Sequence, residues 1–417
     1  MPCNAEDAAR LIDHCRRLVS SLEMDEVADR AVSAAVELLG AEAGRLLMCT
    51  GEEGEALALR RVLRDGNLER PAGHSVPRGR GLVGLAAEKD RGVLCEDSHR
   101  DPRLDPEIDG LSGFEVRSAA VAPMSFDDRR LGVLQVMSTR PGAFAPEHLE
   151  MLEHLSAIAA AATHNAHMHR MEIERGRARY ELSVAAEIQK GLLPAELPDT
   201  GSFEFDAVCI PAAEVGGDLY DVFPFPDGRL CAVLGDVSGK GVPAALYMTW
   251  MVAELRLLSE RASGLPEMMA ELNRRLHARS RRGMFVTLMA GLFSPQSGEI
   301  EVASAGHHPP LLRRSDGTVE EVPYPSAPPL GILPEQQYPT ACYQLARGEA
   351  ALGFTDGVVE ARNADGDEYG LERLKQVLAR EAGPRTIRRV LRSLARFTGG
   401  QAQRDDTTMV LMWRKEA

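Results

Sequence analysis

The stretch Glu214–Leu246, EVGGDLYDVFPFPDGRLCAVLGDVSGKGVPAAL, decides how the C-terminal half of this chain is read. Gly216-Gly217-Asp218 closes a turn, and Leu219 to Phe225 then alternates as an extended segment. Pro226-Asp227-Gly228 is a tight-turn signal between two such runs, so the spacing predicts a hairpin. Its second strand, Leu230 to Leu234, is continuously apolar and therefore expected to be buried; it ends at Gly235-Asp236-Val237. Glycine-rich Ser238-Gly239-Lys240-Gly241 follows, and Pro243 suits the first turn of a helix predicted to run to about Glu260.

Two more acidic points lie downstream. Leu352-Gly353-Phe354-Thr355-Asp356-Gly357 is another apolar strand ending in Asp-Gly, and Arg404-Asp405-Asp406-Thr407-Thr408 precedes a last apolar strand, Met409 to Trp413. If these strands share one core, Asp218, Asp236, Asp356 and Asp405 converge. Oxygen donors without His or Cys favour Mg²⁺ or Mn²⁺ over zinc. Two such ions roughly 3.5–4 Å apart can activate water and stabilise the oxygens of an in-line phosphoryl displacement. The glycine loop after Gly235 is not a Walker A element. Three residues, not four, separate Gly235 from Gly239, and Gly241 stands where Ser or Thr must follow Lys240.

The order EVGGDLYD, GDVSGKGVPAAL, FVTLMAGLF, SAGHHPPLL, FTDGVVEARN and DDTT, across roughly Phe203 to Arg414, resembles the SpoIIE-like branch of the metal-dependent PPM-type serine/threonine phosphatases. The resemblance implies a β-sandwich flanked by helices and two Mn²⁺ (or Mg²⁺) ions. Residue by residue, it implies that Asp236 bridges both ions, that the Val237 carbonyl completes one site, and that Asp218 supports the same site. Asp356 and Asp405 would hold the other ion, with Asp406 the alternative to Asp405. Asp218 and Asp236 are thus the candidate catalytic residues. His307 of SAGHHPPLL is assigned a structural role near the rim. Gly217 stands where the broader eukaryotic-type pattern has an acidic residue, and no equivalent of that group's phosphate-binding arginine is assignable.

The 417 residues suit two domains and a connector. At 44% hydrophobic and 26% charged, with no run of about 18 uncharged apolar residues, the composition is that of a soluble protein. The N-terminus MPCNAEDAAR lacks a signal-peptide pattern, and seven scattered cysteines fit reduced thiols, so a cytoplasmic location is expected. A formal charge of −14 disfavours nucleic acid and anionic membrane as partners.

Residues 1–163 alternate helical stripes with strands: a helix ending at Gly40, strands at Leu46 to Cys49 and Ala56 to Leu63, and a final hairpin around Asp127-Asp128-Arg129-Arg130. The segments PRGRGLVGLAAEKDRGVLCEDSHRDPR, RSAAVAPM and RRLGVLQVMS resemble a GAF sensory domain, which implies an antiparallel sheet with helices. No NKFDE pattern of the cyclic-nucleotide-binding members is present, so the ligand is unknown. Cys49, Cys95 and His99 are read as small buried or solvated residues.

Residues 164–197 carry no strand signal and form a helical linker with a broken 3.5-period seam, Met168, Met171, Arg175, Ala178, Leu182, Ala185, Gln189 and Leu192. Gly176 costs such a helix about 1 kcal/mol relative to alanine. His164, His167 and His169 are not on one face and are read as solvated. The end, Ala185-Ala186-Glu187-Ile188-Gln189-Lys190-Gly191-Leu192-Leu193-Pro194, resembles the AxxIQxxLLP element that leads into SpoIIE-like phosphatase domains. That likeness implies a homodimer through linker and GAF domain, with GAF state turning the helix and the helix turning the site.

The whole is expected to be α+β, with residues 198–417 as the phosphatase domain. The resemblance implies a phosphoserine/phosphothreonine phosphatase acting on a phosphorylated STAS-domain anti-sigma factor antagonist in bacterial signalling. The alternative, a catalytically silent GAF-containing sensor or scaffold acting by protein binding, is opposed by the presence of all four aspartates. A phosphatase of small phosphoesters would keep the same site. A basic cluster, Arg274, Arg275, Arg279, Arg281 and Arg282, could steer an acidic partner, though a solvated helix face accounts for it as well.

Overall fold

Antiparallel sheets packed under amphipathic helices build both halves of the chain. The computed structural model describes residues 5–51, 55–71, 75–110, 114–280, 283–325, 327–380 and 383–416. It divides into two units, Met1–Arg177 and Ala178–Ala417.

In the first unit, α1 (Ala5–Val19) and α2 (Met24–Leu39) precede β1 (Ala43–Thr50), β2 (Ala56–Arg64), β3 (Asn67–Glu69) and β4 (Ser75–Pro77). Then come α3 (Gly81–Lys89), β5 (Val93–Cys95), α4 (Pro106–Asp109), β6 (Ser118–Phe126), β7 (Arg129–Ser138) and α5 (Pro146–Lys190). The strands form one sheet in the order β3-β2-β1-β7-β6-β5, with β4 also paired to β2. One face packs on α2 and the first half of α5 through Leu46, Ala120, Leu134, Leu152 and Leu155; the other face covers Leu47, Leu57, Leu82 and Val133. Gly40 ends α2 in the left-handed region, as its sequence position implies. The β6–β7 hairpin turns on Asp127 and Asp128 alone, both at positive φ, a two-residue connection whose twist matches the strands.

Three readings change here. The linker is not a separate helix but the end of one 45-residue helix, α5, that begins at Pro146; Gly176 sits inside it with open space around its Cβ position, so it lowers propensity without breaking the run. His164 is not solvated but stacks on Phe126 at 4.7 Å between ring centroids. The exposed large apolar residues of the distal half of α5 are Met168, Ile173, Tyr180, Val184 and Ile188, of which Met168 alone belongs to the seam read by heptads.

The second unit contains β8 (Phe203–Ile210), β9 (Leu219–Pro224), β10 (Leu230–Val237), α6 (Val242–Ser259), α7 (Leu265–Arg279), β11 (Val286–Phe293), β12 (Glu299–Ala305), β13 (Leu311–Arg313) and β14 (Val319–Glu321). It continues through β15 (Thr340–Gln344), β16 (Ala350–Phe354), α8 (Asp356–Val359), α9 (Leu371–Ala379), α10 (Thr386–Thr398) and β17 (Thr407–Arg414). Two five-stranded sheets, β15-β12-β11-β10-β9 and β14-β13-β16-β17-β8, face one another over Phe203, Val222, Phe293, Val302 and Met412. The helices α6 and α7 cover the outside of the first sheet, and α9 and α10 that of the second. This is the α+β sandwich that the motif order implies. Arg274, Arg275 and Arg279 are held by Glu271 and Glu254 at 2.5–3.8 Å, so this part of the basic cluster is an ion-paired helix face; Arg281 and Arg282 lie outside the described residues.

Candidate metal centre

Strand pairing carries the aspartates to one end of the sandwich. In the β9–β10 hairpin Gly235 pairs with Leu219, so the next step of the register sets Asp236 opposite Asp218. On the facing sheet Phe354 pairs with Met409, and the Thr355 amide donates to the Thr408 carbonyl (3.0 Å). Continuing outward, Asp356 opens α8 while Asp405 and Asp406 stand just before β17. Each sheet therefore contributes acidic groups to the same mouth.

Their electrostatics show that they meet. Burial, and then the charge of Asp236, raises the Asp218 carboxyl well above the ordinary range. Asp236 is pushed up to about 7 by burial and by Asp356, Asp405 and Asp406. Asp356 is raised by burial and by Asp405. Among the described residues, no three His, Cys, Asp or Glu side chains are gathered into a ready cage for an ion. The mutual repulsion is the firmer observation for a cation-seeking site, because carboxylates that raise one another's pKa lack positive charge between them. Lys240 supplies some at the rim: its Nζ donates to Asp405 Oδ2 (2.8 Å) and to the Arg404 carbonyl.

Asp405 and Asp406, equivalent in sequence, are not equivalent in space. Asp406 Oδ1 accepts the Ala212 amide (2.7 Å), and its Oδ2 accepts those of Gly217 (2.6 Å) and Asp218 (3.4 Å). It is engaged as a backbone clamp. Asp405 makes its side-chain bonds to Lys240 and to the Asp406 amide (3.1 Å) and is partly exposed.

Close backbone approach explains two glycines. A Cβ on Gly217 would lie 2.9 Å from the Val237 carbonyl oxygen, and one on Gly357 would lie 1.9 Å from the Asp406 carbonyl oxygen. Gly217 thus brings the Asp218 turn against the carbonyl that the motif comparison singles out.

Three roles escaped the sequence reading, those of Thr355, Asp406 and Gln189. Thr355, fully buried, donates from Oγ1 to Asp218 Oδ2 (2.8 Å) and accepts the Thr408 amide (3.0 Å). The Asp406 clamp joins positions 189 residues apart. Gln189, at the end of α5, holds Gly216 at both ends: Nε2 donates to its carbonyl (2.7 Å) and Oε1 accepts its amide (3.2 Å). The FTDG and IQ segments held the signal for Thr355 and Gln189, but not their partners. His307 is buried, with Nδ1 3.0 Å from Thr287 Oγ1, and Thr287 pairs with Asp236 across β10–β11. Burial pulls its pKa down to about 3, so it is neutral and one strand removed from the carboxylates.

Comparison with known proteins fits this geometry. Residues 226–415 match the family model for Stage II sporulation protein E (SpoIIE), a span that includes Asp236, Val237, Asp356 and Asp405 and begins just after Asp218. Residues 21–164 match the GAF domain. Protein IcfG of Synechocystis is 28% identical over 272 residues, covering 58% of this chain and 43% of that protein. Phosphoserine phosphatase RsbU of Bacillus subtilis is 26% identical over 238 residues, 56% of this chain and 70% of RsbU; phosphoserine phosphatase RsbP of the same species is 26% identical, over 43% and 45%. The chain thus spans less than half the length of IcfG and of RsbP. The SiaA-PP2C domain of Pseudomonas aeruginosa superposes with a TM-score of 0.51 at 22% identity, over 58% of this chain and 99% of that domain, which supports the fold. Among the described residues no helix is long and apolar enough to cross a membrane. Residues 21–164 are thus similar to a GAF domain and residues 226–415 to the SpoIIE family, and the two facing sheets of the second unit have the PPM-type phosphatase fold.

Proposed function

We propose that the chain is a Mn²⁺- or Mg²⁺-dependent protein phosphatase acting on phosphoserine or phosphothreonine. The observation that carries this reading is the meeting of carboxylates from two sheets with too little positive charge among them. Asp218, Asp236, the Val237 carbonyl, Asp356 and Asp405 are the groups that would hold two ions, and an all-oxygen donor set suits these hard cations. When bound, such ions supply Lewis acidity and an activated water. The residues themselves do the positioning: Thr355 fixes the Asp218 carboxylate, Asp406 ties the Gly217 turn to β17, and Lys240 moderates the charge of Asp405.

The substrate class follows from relatives named as phosphoserine phosphatases. The expected substrate is a phosphorylated STAS-domain anti-sigma factor antagonist in the cytoplasm. Regulation would run from residues 1–163 through residues 164–197 to residues 198–417, because Gln189 of the linker grips Gly216 beside the site. A homodimer along Ile173, Tyr180, Val184 and Ile188 would give the exposed stripe a partner.

The test is phosphate release from a phosphoserine STAS-domain protein and from p-nitrophenyl phosphate, with Mn²⁺ and with EDTA. Mn²⁺-dependent release by wild type and not by Asp236→Asn is the expected result. Release that survives EDTA or Asp236→Asn sinks the assignment, and none under any condition favours the silent-scaffold reading.

A further inference from the structure

The last helix of the second unit carries charge of one sign. α10 reads TIRRVLRSLARFT and contains no Asp or Glu. Ile387, Val390 and Leu394 turn into the core under the second sheet. Arg388, Arg392 and Arg396, spaced four residues apart, form one exposed stripe on the opposite side.

Helix stability does not account for this composition. Arg388 and Arg389 sit in the first turn, where the helix dipole disfavours positive charge, and like charges four residues apart repel. The basic face of α7 shows a structural set in the same unit: Arg274, Arg275 and Arg279 are matched by Glu254 and Glu271. The stripe on α10 lacks such matching. Burial raises the Asp206 carboxyl on β8 and Arg388 opposes that rise, so the first member has an acidic neighbour. Among the described residues Arg392 and Arg396 make no ion pair, in a chain whose formal charge is −14.

A cleft joins this stripe to the metal centre. Its volume is about 440 Å³, within the usual range for binding pockets, and it takes a few side chains rather than a folded domain. Leu391 and Ala395 line it from α10, one turn from Arg388 and Arg392, and Ile210 lines it from the end of β8. The far wall includes Arg404 and Asp405. Arg404 is exposed and, among the described residues, its side chain makes no ion pair either. Gln403 fixes that wall: its Nε2 donates to the carbonyls of Ile210 (2.9 Å) and Asp405 (2.7 Å).

We propose, on the phosphatase reading of the metal centre, that this cleft and the α10 stripe receive an acidic segment flanking the phosphoserine of the protein substrate. Its Asp or Glu side chains meet Arg404, Arg392 and Arg396, and an apolar side chain lies against Ile210 and Leu391. Guanidinium and carboxylate match as charge and as planar fork. Exposed pairs of this kind add little affinity each, but together they speed encounter and select the partner. A single-stranded nucleic acid fits less well, because among the described residues no aromatic side chain lines the cleft to stack on its bases.

The experiment gives the full chain, with Mn²⁺, p-nitrophenyl phosphate and phosphoserine peptides whose flanks carry glutamate, glutamine or lysine. At low ionic strength kcat/KM for the glutamate peptide should exceed that for the glutamine peptide more than about tenfold, mainly through KM, and added salt should narrow the gap. Arg392→Gln combined with Arg396→Gln should lose most of that preference. If the variant fails to fold, the comparison of peptides on wild type still decides. Hydrolysis of p-nitrophenyl phosphate without preference among the peptides overturns this proposal and leaves the phosphatase reading standing. No turnover of any substrate overturns the phosphatase reading, and fluorescence anisotropy of the same peptides, dye-labelled, then decides the docking surface by the same order of preference. Equal binding of all three peptides, a preference for lysine flanks, an undiminished preference in the folded double variant, or tighter binding of a single-stranded oligonucleotide overturns the proposal.

Discussion

The two units hold opposite electrostatic imbalances. At the mouth of the sandwich, carboxylates from two sheets crowd together, and the cation set against them, Lys240, is itself largely exposed. In the first unit, the Arg45 guanidinium is buried beside Asp109, a carboxylate that backbone amides have already claimed. A third pair marks the balanced case: buried Asp221 receives Arg256 Nε at 2.6 Å. Asp221 and Arg256 form a satisfied pair, whereas the carboxylates at the mouth of the sandwich keep an imbalance that the fold does not correct.

The largest effect that would sharpen this contrast is at Asp236. Asp236→Asn should leave only a trace of Mn²⁺-dependent turnover, measured by phosphate release. Without added metal the variant should melt no lower than wild type, because the change removes a like charge from the cluster. A markedly lower melting temperature would make Asp236 a structural carboxylate and break the comparison. Next comes Thr355→Val, which deletes the hydroxyl bonded to Asp218 but keeps the shape. By the usual weight of residues behind metal ligands, Mn²⁺ activation should shift by roughly 10–100-fold. An unchanged Mn²⁺ titration would show that Thr355 serves β16–β17 pairing alone.

Arg256→Met tests the balanced pair. Leaving Asp221 buried and unmatched should cost about 1–3 kcal/mol of stability without moving the Mn²⁺ titration. Both tryptophans, Trp250 and Trp413, lie in the second unit, so their fluorescence during urea unfolding reports this half selectively.

How much of this was legible in the sequence depends on the range of the interaction. Asp218, Asp236, Asp356 and Asp405 were visible because each follows or ends an apolar strand, a pattern contained within a few residues. Their convergence needed the added premise that the strands share a core. The choice between Asp405 and Asp406 was invisible, since it turns on amides nearly two hundred positions away. Arg45 drew no reading from the sequence, and only its place in β1, 3.8 Å from Asp109, shows a buried guanidinium short of partners. The broken seam in α5 has a related limit: a heptad written from sequence cannot know which face a 45-residue helix leaves uncovered, and Ile173, Tyr180, Val184 and Ile188 are exposed as well as Met168.

The smallest effect concerns a buried group whose charge the fold avoids. His307 has its pKa pulled down to about 3 by burial, against about 6.5 for an exposed histidine. Between those values the unfolded chain binds a proton that the folded chain refuses. Its contribution to stability is therefore fully present above about pH 6.5 and is lost progressively as pH falls towards 3. Between pH 7 and 5.5 that amounts to about 1 kcal/mol for one group. His307→Asn keeps a polar atom near Thr287 Oγ1 and removes the titration. The variant can be less stable at pH 7, but its urea midpoint should fall less than that of wild type over this interval. Parallel decline in the two proteins would mean that His307 accepts its proton inside the fold, and that the surroundings of Thr287, the pairing partner of Asp236, are wetter than the packing of His307 implies.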